Sequence, residues 1–315
     1  MNRHALLGAA FIAVAMLFWG GNTTIGRFAM TTDLPPIGVN FWRWTLALAI
    51  LLPLTARTLW RQRALLARHR VYCFCIGLVG VTFFNSFYYV GLQSTTAVQG
   101  SLIAALLPLM ILVLGAAYAG TGITGRQIGG LVLSIGGAVL VVVRGDPAVL
   151  QTLRLNPGDF WCLAAVMCWA VQTFMLRYKP PEMDIMALVV GSMALGWFAL
   201  VPAYAVETAM GEAMRFDRDT VLMVGYLGLF ASVIAFSLYN AGVVRVGSAS
   251  AGYLGNLFPV FSALLAVIFL GEAIAWYHAL GGMLVLGGIY LATVSPGAFR
   301  RRPTARSARS TRRVG

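Results

Sequence analysis

The chain has 315 residues, of which 59% are apolar and only 10% charged, and its mean hydropathy is +0.81. Soluble domains carry roughly half apolar and a quarter charged residues, so this composition excludes a water-soluble fold and predicts an integral membrane protein. The net charge of +13 is not the footprint of a nucleic-acid binder: five arginines from Arg57 to Arg70 and seven from Arg300 to Arg313 account for 12 of it.

About twenty apolar residues cross roughly 30 Å of hydrocarbon as a helix, and ten stretches qualify: 5–28, 36–56, 71–92, 97–118, 127–144, 158–178, 185–206, 220–241, 249–270 and 277–296. The first follows a short basic start and imitates a signal peptide. It reads instead as a retained helix, because a matching segment recurs mid-chain. Breaks fall where proline, glycine or charge accumulates, as in "DLPP" before the second span and "YKPPEMD" after the sixth. Basic residues concentrate in alternate connections and in both termini, while the segment with Glu207, Glu212, Asp217 and Asp219 is acidic. The positive-inside rule therefore predicts cytoplasmic termini, with anionic lipid as the partner of the basic loops. The cysteines Cys73, Cys75, Cys162 and Cys168 form no CxxC pair, and only His4, His69 and His278 are histidines. No metal, disulfide framework or cofactor is expected.

The sequence also aligns with itself. At an offset of 151, Tyr88, Gly91, Pro108 and Gly137 fall on Tyr239, Gly242, Pro259 and Gly288; at 150, Trp19, Thr23 and Arg27 fall on Trp169, Thr173 and Arg177. The expected units are residues 1–146, residues 147–297 and a basic tail, 298–315. Five spans is an odd number, so the second unit enters the membrane from the opposite side. Such inverted repeats underlie many secondary transporters, with the substrate held between the repeats near the midplane.

The stretches "FWRWTLALAILLP", "YYVGLQSTTAVQGSLIAALLPLMILVLGA" and "YNAGVVRVGSASAGYLGNLFPVFSALLAVIFLGEAI" resemble the EamA-type transporters of the drug/metabolite transporter superfamily. The resemblance spans about residues 5–296. It implies an all-α, ten-helix carrier of the bacterial inner membrane that moves small organic metabolites, often exporting amino acids, along a path between two five-helix halves. One departure stands out: the family's Gly-Glu after the fourth span reads Gly120-Thr121, whereas Gly271-Glu272 keeps it.

Several polar or aromatic residues are candidates for the substrate site. Trp19, Asn22 and Thr23 share one helical face, and Trp169, Gln172 and Thr173 repeat the pattern. These faces either glue helices together or line a central cavity. Asn85, Tyr88 and Tyr239, together with Ser101, Tyr253 and Asn256, carry the same two readings, and an interfacial belt is a third for the tyrosines. Arg43 lies about 10 Å into its span at 1.5 Å per residue. It snorkels to the outer interface, joins a structural ion pair, or faces a cavity and attracts a carboxylate or phosphate. Arg27 and Arg177 either stabilise helix C-termini or act as paired gates.

All ten acidic residues lie in loops or at span ends. This favours facilitated export or exchange over coupling through a buried carboxylate. It also disfavours a quaternary-cation or multidrug extruder, the main alternative, whose cation–π walls want a nearby acid. A membrane enzyme needs clustered His, Asp or Glu, which is absent from the sequence.

Overall fold

The computed structural model describes residues 3–119, 124–146, 156–246, 251 and 254–293. It is built of ten apolar helices: α1 (Arg3–Thr31), α2 (Pro36–Arg68), α3 (Arg70–Ser94), α4 (Ala97–Tyr118), α5 (Gly125–Val142), α6 (Pro157–Tyr178), α7 (Ile185–Ala209), α8 (Arg218–Val246), α9 (Leu257–Leu270) and α10 (Trp276–Thr293). Eight are long and apolar enough to cross a membrane, and α9 and α10 are shorter apolar helices. The protein is an all-α, multi-pass membrane protein. Two boundaries differ from the sequence reading. Helix α2 continues through Arg57, Arg61 and Arg63 to Arg68, so the basic segment is three helical turns rather than a loop. Helix α9 starts at Leu257, after a turn at Asn256, and residues 247–250 and 252–253, with the basic tail, lie outside the described residues.

Local chemistry sets the helix ends. Asp217 caps α8 by accepting the Thr220 amide at 2.8 Å, and this bond holds its carboxyl below the ordinary aspartate range. Proline interrupts α4: regular helix stops at Ala104 and resumes at Leu107, next to Pro108. The turn at Asn256, before Pro259, stands 151 residues after the turn at Ala105.

Helix packing pairs up under a shift of five helices. Helix α1 packs on α8 and α9, and α6 packs on α3 and α4; α2 packs on α8, and α7 on α3; α5 and α10 pack along each other. Glycines make the closest crossings. A Cβ on Gly91 would lie 2.8 Å from the Gly158 carbonyl oxygen, and one on Gly242 would lie 2.8 Å from that of Gly8. Backbones can approach this closely in a bilayer only where small residues meet. The pairing fails on one side. Helix α1 also packs against α3 and α4, but α6 has no comparable packing against α8 and α9 among the described residues. The end where α3 meets α4 is therefore packed shut, with Tyr88, Tyr89 and Leu92 buried, while Tyr239 and Asn240, at the equivalent positions of α8, are partly exposed.

Candidate functional site

Two short π-helical stretches organise the centre: Leu78–Phe83 in α3 and Tyr226–Ile234 in α8. A π-turn inserts a residue and leaves carbonyls off the regular ladder, and such bulges are frequent at functional sites. Neighbouring helices satisfy the freed groups. Asn40 of α2 donates to the Val81 oxygen (3.0 Å), the Thr82 oxygen (3.4 Å) and Ser86 Oγ (3.0 Å). Trp19 of α1 donates its indole N–H to the Ala231 oxygen at 3.0 Å.

Arg43 lies between these two stretches. The residue is only 4% exposed, so it does not snorkel, and no carboxylate meets its guanidinium among the described residues. Nη1 faces Asn22 Oδ1 (2.8 Å), Asn85 Oδ1 (2.9 Å) and the Tyr89 hydroxyl (2.5 Å). Nε and Nη2 both donate to Ser232 Oγ, at 3.2 and 2.7 Å, and Ser232 in turn donates to the Leu227 oxygen. The Arg43 Cζ sits over the Trp44 and Tyr89 rings, at 5.2 and 5.8 Å from their centroids. The knot thus ties α1, α2, α3 and α8 together with one formal positive charge and neutral acceptors.

Beside this knot the two matching faces meet. Trp19 and Trp169 contact edge to face, with centroids 6.3 Å apart; Tyr239 lies 5.2 Å from Trp19, and Phe84 lies 5.1 Å from Trp169. All four rings are partly exposed, whereas Arg43, Asn85, Tyr88 and Tyr89 are buried. These four rings, with the Arg43 knot beside them, make up the candidate chamber.

The other predicted residues fall around this centre in different ways. The Thr23 and Tyr88 hydroxyls share a hydrogen bond at 3.2 Å within the shut region. Gln172 packs against Gly80, where an added Cβ would come within 2.1 Å of its amide. The Ser101 hydroxyl is buried and bonds the Val98 oxygen of its own helix. Asn256 is partly exposed at the turn before α9, and Tyr253 lies outside the described residues. Arg27 donates to the Leu92 and Gln93 oxygens at the end of α3. Arg177 makes no hydrogen bond among the described residues and lies over Phe174, 6.0 Å from its centroid.

Three acids, Glu272, Glu207 and Asp159, are held at the shut end. Glu272 accepts the Ala97 and Val98 amides at the start of α4 (2.8 and 3.0 Å), and Glu207 accepts those of Ile37 and Gly38 at the start of α2 (3.0 and 2.7 Å). Asp159 is buried between Thr95 Oγ1 (2.5 Å) and Gln99 Nε2 (2.6 Å). No group of three or more His, Cys, Asp or Glu able to hold a metal occurs among the described residues. A surface cleft of about 840 Å³, lined by Pro35, Gln93, Pro202 and Glu207 among others, opens at these helix ends, apart from the chamber.

Sequence reasoning did not single out Asn40, Phe84 or Ser232. Asn40 had a signal: it is an amide one helical turn before Arg43 within an apolar span. Ser232 had none, because Val81 occupies the matching position of the first half.

The sequence pattern of the EamA-like transporter family matches residues 6–143 and, again, 156–294. An uncharacterized transporter of Bacillus subtilis (strain 168), YyaM, is 24% identical over 293 residues, covering 93% of this chain and 94% of its own. An uncharacterized transporter of Archaeoglobus fulgidus is 27% identical over 290 residues, covering 90% and 96%. An uncharacterized inner membrane transporter of Salmonella typhimurium, YicL, is 28% identical over 175 residues, 56% of each chain. A crystal structure superposes with a TM-score of 0.57 at 20% identity over 91% of this chain and 96% of that one, a likeness of fold alone.

Proposed function

The chain belongs to the EamA-like transporter family, within the drug/metabolite transporter superfamily, and from that premise we propose that it is a secondary carrier for small organic metabolites, amino acids and their relatives first, working by alternating access. The observation that carries this reading is the meeting of the two equivalent faces at Trp19 and Trp169. Each face comes from a different half of the chain, so rocking the halves changes which side reaches the chamber. The two five-helix halves form an inverted pair, with the exchange of packing partners described above as support. By inverted-repeat logic, the substrate lies between the halves.

The basic termini face the cytoplasm, and the protein works as an exporter in the bacterial inner membrane, the location carried in the name of the Salmonella relative. In that orientation the shut end is outermost and the partly exposed chamber faces the cytoplasm. The arginines of α2 sit on its cytoplasmic extension, where anionic lipid headgroups attract them. Transport runs down the substrate gradient, since no carboxylate touches the chamber among the described residues. The same feature disfavours a quaternary-cation extruder. The test is flux from purified, reconstituted protein across a panel of amino acids and related metabolites, with and without a pH gradient. Failure of every compound to move faster than in protein-free vesicles refutes the carrier reading. Dependence on the gradient overturns the coupling.

A further inference from the structure

We infer that the chamber admits only solutes with a free carboxylate, and that the Arg43 guanidinium receives this group by exchanging the Asn22 side chain for it. The inference rests on the carrier reading and names its substrate class.

The charge balance of the centre leads to it. All ten acidic residues fall among the described residues, in loops or at helix ends, and the three buried or half-buried ones nearest the core are already engaged with Thr95 and Gln99 or with helix amides. Arg43 is thus a buried cation compensated by neutral oxygens and two aromatic faces, with no carboxylate against it among the described residues. A charge inside a membrane protein is costly and marks a functional position when its counter-charge is not built in.

The hydrogen-bond inventory shows where that counter-charge fits. A guanidinium carries five N–H groups in a planar fork. Nη1 has two hydrogens but three acceptors, so one of Asn22, Asn85 and Tyr89 is surplus. Nη2 has two hydrogens but meets only Ser232 among the described residues. The fork therefore has one acceptor too many on one nitrogen and one too few on the other. A carboxylate corrects both, with one oxygen replacing Asn22 on Nη1 and the other taking the spare Nη2 hydrogen, the bidentate geometry that arginine favours.

Asn22 is the acceptor placed to yield. Asn85 and Tyr89 are buried, but Asn22 is partly exposed, one turn beyond Trp19 on the same face of α1. The route from the chamber to Arg43 passes over it. The released amide keeps a partner, since the Tyr89 hydroxyl also donates to Asn22 Oδ1, at 3.1 Å. Trp19, Phe84, Trp169 and Tyr239 then surround the rest of the solute, which suits an apolar side chain or an ammonium held by aromatic faces. A dianionic phosphate is a poorer match, because a single cation serves the site.

The experiment compares each acid with its uncharged twin on the native protein. Reconstituted full-length protein is loaded with leucine, phenylalanine or threonine, or with the corresponding amide or decarboxylated amine, and efflux is measured above protein-free vesicles. Charge-assisted hydrogen bonds predict at least about tenfold faster specific flux at limiting concentration for the acids, equivalent to ~1.4 kcal/mol. Amides or amines that move as fast as the acids overturn the inference while leaving the carrier reading intact. No specific flux from any compound removes the carrier reading, and this inference with it. The variant Asn22→Asp places a carboxylate on the fork from within. It is expected to remain monodisperse with an unchanged or higher melting temperature and to lose acid flux at least about tenfold; a folded Asn22→Asp protein that transports acids normally overturns the inference.

Discussion

Glu272→Gln tests the connection between the shut end of the bundle and transport. The Glu272 carboxylate takes two first-turn amides of α4, at 2.8 and 3.0 Å, while Thr96 takes a third, that of Gln99. An amide side chain offers one oxygen, turns an NH2 toward the second donor and removes a negative charge from the positive end of a helix. A hydrogen bond to a charged group contributes roughly 1.5–3 kcal/mol and a terminal charge about 0.3–1 kcal/mol. A net loss of ~2 kcal/mol is therefore expected. Glu272 and α4 belong to different halves of the chain, so under alternating access the contact exists only while this end is closed. The loss then moves the population by ~30-fold toward the alternative state. Ser101, fully buried one turn into α4, provides the reporter. In a cysteine-free background, alkylation of Ser101→Cys by a membrane-impermeant maleimide applied from outside should accelerate by about tenfold or more when Glu272→Gln is added. A rate unchanged within about twofold refutes the assignment of this contact to the closing machinery.

Three further outcomes follow from the packing. Asn40→Ala removes the donor to the Val81 and Thr82 oxygens and to Ser86, leaving buried carbonyls of the α3 π-turn unpaired; a loss of about 2 kcal/mol should appear as earlier thermal unfolding in detergent. Gly288→Ala sets a methyl 2.4 Å from the Gly130 oxygen, so α5 and α10 must part, and size-exclusion chromatography should show loss of the monodisperse species. At the start of α8, the Asp217 carboxyl has a folded-state pKa below its unfolded one, so its capping contribution is complete above the unfolded value and is lost as pH falls through the folded value. Amide exchange at Thr220, corrected for intrinsic rates, should therefore gain protection from acid to neutral pH in the native chain and stay flat with Asp217→Ala.

The span count and the recurring residues were legible because hydropathy and offset are properties of the chain itself. What escaped was set by neighbours. Helical spacing at 3.6 residues per turn placed Trp19 and Asn22 on one face, and the structure has them there, one against the chamber rings and the other on Arg43. The same spacing cannot foresee a π-turn, which rotates all later side chains by about 100° for each inserted residue. The partner of Arg43 on α8 is for this reason Ser232, 189 residues away and unmatched in the first half. Glu272 read as an isolated family feature, because the amides it binds are 174 and 175 residues distant. Basic residues on α2 read as a loop, since charge ends a hydrophobic span without ending a helix.

Arg27 and Arg177 give the sharpest contrast between the halves. They occupy matching positions, yet Arg27 binds the carbonyls of Leu92 and Gln93 at the shut end, and Arg177 makes no hydrogen bond among the described residues. Carbonyls at a helix C-terminus lack intrahelical partners and carry partial negative charge, so an arginine that reaches them locks two helix ends together. At the offset of 151 the counterparts of Leu92 and Gln93 are Val243 and Val244 on α8. In the opposite state Arg177 should bind those two carbonyls while Arg27 releases its own. Arg27→Gln then weakens closure at one end and Arg177→Gln at the other. Reconstituted vesicles with fixed orientation should show the two variants impairing opposite half-cycles, read as separate defects in unidirectional efflux and uptake. Equal, mild slowing of both directions by both variants would reduce the arginines to ordinary helix-end cations and sink the gate assignment.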